Sequence, residues 1–222
     1  MAARAELALG AALLLCACGF GGAQTATIPP GETAIVDLTG DVNDADVTAV
    51  ITRNKSARAC SVTITRVRAT RGATTEGYGY LDRSLRVRIS GIRAGEHRTM
   101  VRIPYRVEAL RAKGIRVGTQ RLMRRSNGVW RPAQMCIRDA RARKIRYANS
   151  PAPSRELIRV GREKGRVGGY GYLDSATAGR YVWAVMDVDG EYAVGGLIPE
   201  PAAATVLAAG LAGLGLLRRR SR

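Results

Sequence analysis

Apolar and polar side chains alternate along much of this chain with a period of two. Cys60, Val62 and Ile64 alternate with Ser61, Thr63 and Thr65, mostly β-branched residues that suit a half-buried strand. Leu85, Val87 and Ile89 alternate with Arg86 and Arg88. Gly91 to Gly95 turns the chain, and Val101, Ile103, Tyr105 and Val107 then alternate with Arg102, Pro104 and Arg106. Pro104 has no N–H to give to a ladder, which predicts an edge strand or a bulge. Asn127-Gly128 lies between two strand-like runs and predicts a hairpin over 121–131. Residues 180–186, Arg-Tyr-Val-Trp-Ala-Val-Met, are apolar on both parities and read as a fully buried strand, turned by Asp187-Val-Asp-Gly190 into a further strand over 191–194.

Helix is scarce in this pattern. Residues 108–113 predict about a turn and a half, stopped by Gly114. Residues 138–167 read as a long basic loop with one weak strand over 157–160. The hexapeptide Gly-Tyr-Gly-Tyr-Leu-Asp occurs at 77–82 and again at 169–174, each copy expected just ahead of a strand, as in a duplicated β unit. Short strands and turn-rich connections predict an all-β fold, a single antiparallel β-sandwich-like domain over 24–197.

Both ends of the chain depart from this pattern. At the C-terminus, Pro199-Glu200-Pro201 is stiff and non-helical. Residues 202–217 carry no charge and, as a helix, would reach about 24 Å, less than the ~30 Å hydrocarbon core of a bilayer. Arg218, Arg219, Arg220 and Arg222 form a basic stop that the positive-inside rule holds in the cytoplasm. Gly210, Gly213 and Gly215 would each cost about 1 kcal/mol in a soluble helix, and no polar face meets water. A short membrane helix is the better reading.

These three parts, in this order and at this end, resemble the PEP-CTERM sorting signal of Gram-negative bacteria. The resemblance implies that an exosortase in the inner membrane removes the helix and that the protein passes to the cell surface or the extracellular matrix. Such a signal requires export first. The N-terminus has the layout of a secretory signal peptide over 1–23: Arg4, an apolar run over 7–20, and Gly21 and Ala23 at the −3 and −1 positions before Gln24. Leu15-Cys16-Ala17-Cys18 is also a loose lipobox, and the alternative is a lipoprotein anchored at Cys18.

The domain carries a second resemblance, to a β-sandwich module of bacterial surface proteins. The matching positions are Ile103-Pro-Tyr105, Ala109-Leu110, Gly114-Ile115 and Gly128-Val-Trp130, with the run over 181–186 similar to that module's last strand.

Charge narrows the partners. The formal net charge is +18. Arg4 and the four terminal arginines leave with Glu6 and Glu200, a net loss of three, so the mature domain keeps +15. A field of this sign favours acidic partners such as anionic polysaccharide or extracellular DNA. If Leu85, Val87 and Ile89 face a core, Arg86 and Arg88 face outward, and the same argument applied to the next strand sends out Arg102 and Arg106. Joined by the 91–95 turn, the two strands are expected to set four arginines on one surface. Cys60 and Cys136 remain in the mature chain, where an exported compartment permits a disulfide.

Catalytic and metal signatures are sparse. His97 is the sole histidine, in what reads as a polar turn, and there is no Gly-x-Ser-x-Gly, Walker loop, zinc spacing or dinucleotide fingerprint. Asp41-Val-Asn-Asp-Ala-Asp46 begins like a calcium loop but has Ala45 and Thr52 at ligand positions, and the acidic turn 187–191 is also short of ligands. No cofactor or metal is expected. A structural or adhesive role in the envelope or biofilm matrix fits the arginines. The alternative, a secreted hydrolase acting on matrix polysaccharide, calls for clustered carboxylates.

Overall fold

The computed structural model describes residues 23–38, 48–138 and 145–199. In chain order they form β1 (Ala23–Ile28), β2 (Thr33–Asp37), β3 (Ala49–Asn54), β4 (Cys60–Arg68), β5 (Ala73–Thr74), β6 (Tyr78–Ser90), β7 (His97–Pro104), α1 (Val107–Ala112), β8 (Arg121–Ser126), β9 (Val129–Pro132), β10 (Arg146–Tyr147), α2 (Arg155–Val160), β11 (Tyr170–Ser175), β12 (Gly179–Met186) and β13 (Gly190–Leu197). The fold is all-β. One sheet has seven strands in the order β1-β4-β6-β13-β8-β9-β5, the other six in the order β10-β11-β12-β7-β3-β2. Pairing is antiparallel except at two edges, where the two-residue strands β5 and β10 run parallel to their neighbours.

The alternation read from the sequence becomes a shared core. Val62, Ile64, Leu85, Val87, Tyr192 and Val194 of the seven-stranded sheet meet Val50, Val101, Ile103, Val182, Ala184 and Met186 of the six-stranded sheet in one cluster. Each outer face also carries a smaller cluster. On the six-stranded sheet, Ile158 of α2 covers Ile51, Met100, Tyr181, Trp183 and Val185, so β12 is buried on both faces as its sequence requires. On the seven-stranded sheet, Ala69 and the chain leading into β5 fold back over Met123, Trp130 and Ala193. There Trp130 donates its indole N–H to Thr70 O at 2.9 Å and stacks on Tyr80 at 4.8 Å.

Several elements form as expected. Asn127 (φ 51°) and Gly128 (φ 78°) make the tip of the β8–β9 hairpin, both in the left-handed region that such a turn needs. Helix α1 ends where Gly114 takes φ 67°, with Ile115 N–H returning to Leu110 O.

Other expectations are corrected. The 91–95 and 187–190 turns do not close hairpins. Each is an arch carrying the chain from one sheet to the other, since β6 and β13 lie in the seven-stranded sheet while β7 and β12 lie in the six-stranded one. Pro104 is the last residue of β7, a strand flanked by β12 and β3, so its missing N–H falls at a strand end and not at a sheet edge. Val107 opens α1. Residues 155–160 are helix: Ser154 Oγ accepts from Leu157 N–H, and Gly161 closes the helix at φ 72°. After their first glycines, the two hexapeptide copies form the starts of β6 and β11 instead of lying ahead of strands, in different sheets and with different packing: Tyr80 sits on Trp130, whereas Gly171 lies against the Trp183 ring.

Candidate functional site

β4 and β6 pair over eight residues, from Ser61↔Ser90 to Arg68↔Arg83. Where Val62, Ile64, Leu85 and Val87 point into the core, the opposite parity points outward. This places Arg88 beside Thr63 and Arg86 beside Thr65, both arginines exposed. Farther along, the core ends and the inward parity reaches solvent. Arg66, Arg68 and Arg83 are exposed there, with Arg68 and Arg83 directly opposite each other. One two-stranded ribbon thus carries five arginines, two of them facing like charge across the ladder, an arrangement that destabilises a sheet by a few tenths of a kcal/mol.

Two carboxylates neighbour this ribbon, and both are engaged. Asp82 accepts from Lys113 Nζ at 2.9 Å. That bond holds its carboxyl below the usual range against a small opposing effect of desolvation, with Arg68 and Arg71 adding to the same direction. Glu191, on the neighbouring β13, is buried. Burial pushes its pKa up, but it accepts from Thr70 N–H (2.8 Å), Thr70 Oγ1 (2.8 Å) and Ser84 Oγ (2.9 Å), and these bonds bring the net shift downward. Arg86 reaches it only at 4.0 Å. Glu191 pins the 69–75 segment to the sheet and leaves the outward arginines largely uncompensated.

The expected four-arginine surface does not form. Arg86 and Arg88 lie on the outer face of the seven-stranded sheet. Arg102 lies on the outer face of the six-stranded sheet, 9% exposed, its guanidinium 5.2 Å from the Tyr181 ring centre. Arg106 is exposed at the start of α1. The inward and outward parities were legible, but the arch between β6 and β7 sends their outer faces to opposite sides of the molecule. Arg66, Arg68 and Arg83 went unseen because only the β4–β6 register brings them together.

The disulfide expectation is also corrected. Cys60, buried at the start of β4, and Cys136, partly buried, are both free thiols; Cys136 Sγ lies 3.8 Å from Pro132 O. Burial pushes the Cys60 thiol up. His97 is the first residue of β7, 2% exposed, with Nδ1 3.0 Å from Thr99 Oγ1. Burial drives its pKa down to about 4 despite Asp187 and Asp189 nearby. In the acidic turn, Asp187 Oδ1 accepts from Arg138 N–H at 2.9 Å, and Asp189 O accepts twice from Arg124. These contacts give the turn a structural explanation. Among the described residues no group of three or more His, Cys, Asp or Glu is placed to hold a metal.

Of the expected sorting motif, Pro199 is described. It follows β13, exposed, at the end where Ile198 N–H bonds Gly77 O and Leu197 N–H bonds Thr119 Oγ1. Glu200, Pro201, residues 202–217 where a membrane helix is expected, Arg218, Arg219, Arg220, Arg222, residues 1–22 of the expected signal peptide with Cys18, and Asp41–Asp46 lie outside the described residues. Among the described residues no helix is long and apolar enough to cross a membrane. Comparison with protein-family models, with curated proteins and with solved structures found no match.

Proposed function

We propose that this chain is an exported, exosortase-sorted protein of the cell surface or biofilm matrix of a Gram-negative bacterium. Its mature part, residues 24–197, is a β-sandwich with a structural or adhesive role and binds acidic polymers, anionic polysaccharide or extracellular DNA, through the β4–β6 ribbon. The secretion machinery and the exosortase are its processing partners, and the inner membrane holds it transiently through the C-terminal helix.

The sorting half rests on the order Pro-Glu-Pro, short apolar run and arginine cluster at the C-terminus, behind an N-terminal export signal. The polymer-binding half rests on one observation, the five exposed arginines of β4 and β6 with few free carboxylates among them. Arg86 and Arg88 share the outer face, and Arg68 and Arg83 face each other on the opposite parity beyond the core; a polyanion on either face relieves repulsion there, and such binding weakens steeply with salt because it rests on screened charges. The test is a titration with DNA and with an anionic polysaccharide at low and high salt. Reversing Arg86 and Arg88 to glutamate is expected to remove most of the low-salt binding. Undiminished binding by that variant would reduce the ribbon to a solvated surface.

A further inference from the structure

The β4–β6 ribbon ends in a built depression. Two turns flank it: residues 55–59, which lead into β4, and the 91–96 arch, which follows β6. They enclose a shallow surface depression of about 490 Å³ lined by Ser56, Arg58, Gly91, Arg93 and Glu96 among others. Both walls are held from behind. Buried Asn54 donates from Nδ2 to Arg58 O (2.6 Å) and to Ile28 O (3.0 Å), and its Oδ1 accepts from Ser56 N–H at 2.9 Å. In the arch, Arg93 N–H bonds Glu96 Oε2 at 2.8 Å and Gly95 N–H bonds Asp187 O at 2.9 Å. Lys55 N–H bonds Glu96 O at 2.9 Å and ties the two walls together. Gly91 (φ 88°) lets the arch approach so closely that a Cβ there would stand 2.9 Å from Ala59 O.

The frame is therefore fixed, while its two cations are not used by it. Arg58 and Arg93 are exposed, and among the described residues neither side chain forms an ion pair or hydrogen bond. Two planar guanidiniums beside one depression suit a carboxylate, which they can grip through paired N–H donors. Glu96 chooses between acidic polymers. Its Oε2 is taken by the arch, and among the described residues Oε1 accepts no hydrogen bond, so it can accept from a sugar hydroxyl. A phosphodiester offers no such donor and would meet only repulsion there. The lining also has no aromatic ring on which a base could stack.

We infer that this depression is a binding subsite for a carboxylate-bearing sugar of an acidic polysaccharide, with Arg58 and Arg93 holding the carboxylate, Ser56 and Glu96 holding hydroxyls, and the β4–β6 ribbon guiding the rest of the polymer. The inference rests on the polyanion-binding reading above and specifies its ligand.

The test uses the protein in the form recovered from cells, with three short probes: an oligogalacturonate, the neutral oligogalactose of equal length, and a DNA duplex. The oligogalacturonate is expected to bind, the neutral sugar is not, and Arg58→Ala with Arg93→Ala is expected to weaken oligogalacturonate binding about tenfold or more. Glu96→Gln keeps the acceptor that holds the arch; it is expected to weaken the oligogalacturonate and to leave DNA binding equal or tighter. Equal binding of the neutral sugar, or parent-like oligogalacturonate binding by the arginine double variant, would overturn the subsite. If that variant keeps its affinity while Arg86→Ala with Arg88→Ala loses long polygalacturonate, the subsite fails and the ribbon reading stands. If the parent protein binds no acidic polymer at low salt, both fall. A DNA affinity that depends on Arg58 and Arg93 more than the sugar affinity does would replace polysaccharide with nucleic acid.

Discussion

Glu191 and His97 show how single side chains set the terms for the sheets around them. Glu191 accepts three hydrogen bonds from Thr70 and Ser84, and two of these tie the 69–75 segment over Trp130. Glu191→Ala leaves the part-buried Thr70 N–H without its partner, an expected loss of about 1 kcal/mol by chemical denaturation. Glu191→Gln, which keeps one acceptor, is expected to lose less. His97 carries a pH dependence whose sign is fixed by burial. Its folded pKa of about 4 lies below the ordinary value of 6.5, so between these the unfolded chain binds the proton and the folded one does not. The neutral ring's contribution is complete above pH 6.5 and is lost as the pH falls toward 4. Denaturation midpoints measured across that range are expected to fall for the parent and to fall less for His97→Asn. The sequence marks His97 as singular but places it in a turn; the strand begins at His97, four residues before the apolar alternation starts at Val101, because its first inward residues, His97 and Thr99, are polar.

Among the elements, α2 is the one whose type differs from its reading, a weak strand over 157–160. Six residues are too few to display a helical period, so only its ends could have announced it: Ser154 as N-cap and Gly161 just past the end. Arg98, from β7, completes the C-terminus by donating to Ile158 O at 2.6 Å. Ser154→Ala is expected to cost about 1 kcal/mol. Gly161→Ala, at φ 72° and with the Arg98 guanidinium within 2.1 Å of the added carbon, is expected to cost at least as much. Hydrogen exchange should show faster opening over α2 and β3 in both variants, and unchanged exchange in β4 and β6. The strands were legible for the opposite reason. A period of two states which face a residue takes, and it identifies the inward Val62 and Ile64 of β4, Leu85 and Val87 of β6, and Val101 and Ile103 of β7. It does not state which strand lies alongside, so it does not show that the 91–95 and 187–190 turns cross between sheets, and Arg102 falls on the side opposite to the expected one. Register, not pattern, assembles the β4–β6 arginines.

Taken whole, the molecule has a folded body and, on the proposed function, a signal at each end whose work is done elsewhere. The body holds its chain end at β13, with Leu197 and Ile198 bonded to neighbouring loops and Pro199 already exposed. Pro199→Ala combined with Pro201→Ala therefore leaves the β domain folded. On the proposed function, it changes the entry to the expected 202–217 helix, which is then free to extend through residues that the prolines keep out of the α region. Cell fractionation is expected to show this variant retained in the inner membrane; normal delivery to the surface would make the tail a plain anchor.

The most direct measurement is mass spectrometry of both termini of the protein taken from the cell surface, from cells with and without the exosortase. The account predicts an N-terminus near Gln24 and the loss of everything after the Pro199-Glu200-Pro201 motif when the enzyme is present, and an uncut, membrane-held tail when it is absent. Surface protein that still ends at Arg222 would contradict the sorting claim, and an N-terminus at a lipidated Cys18 would put a lipoprotein in its place.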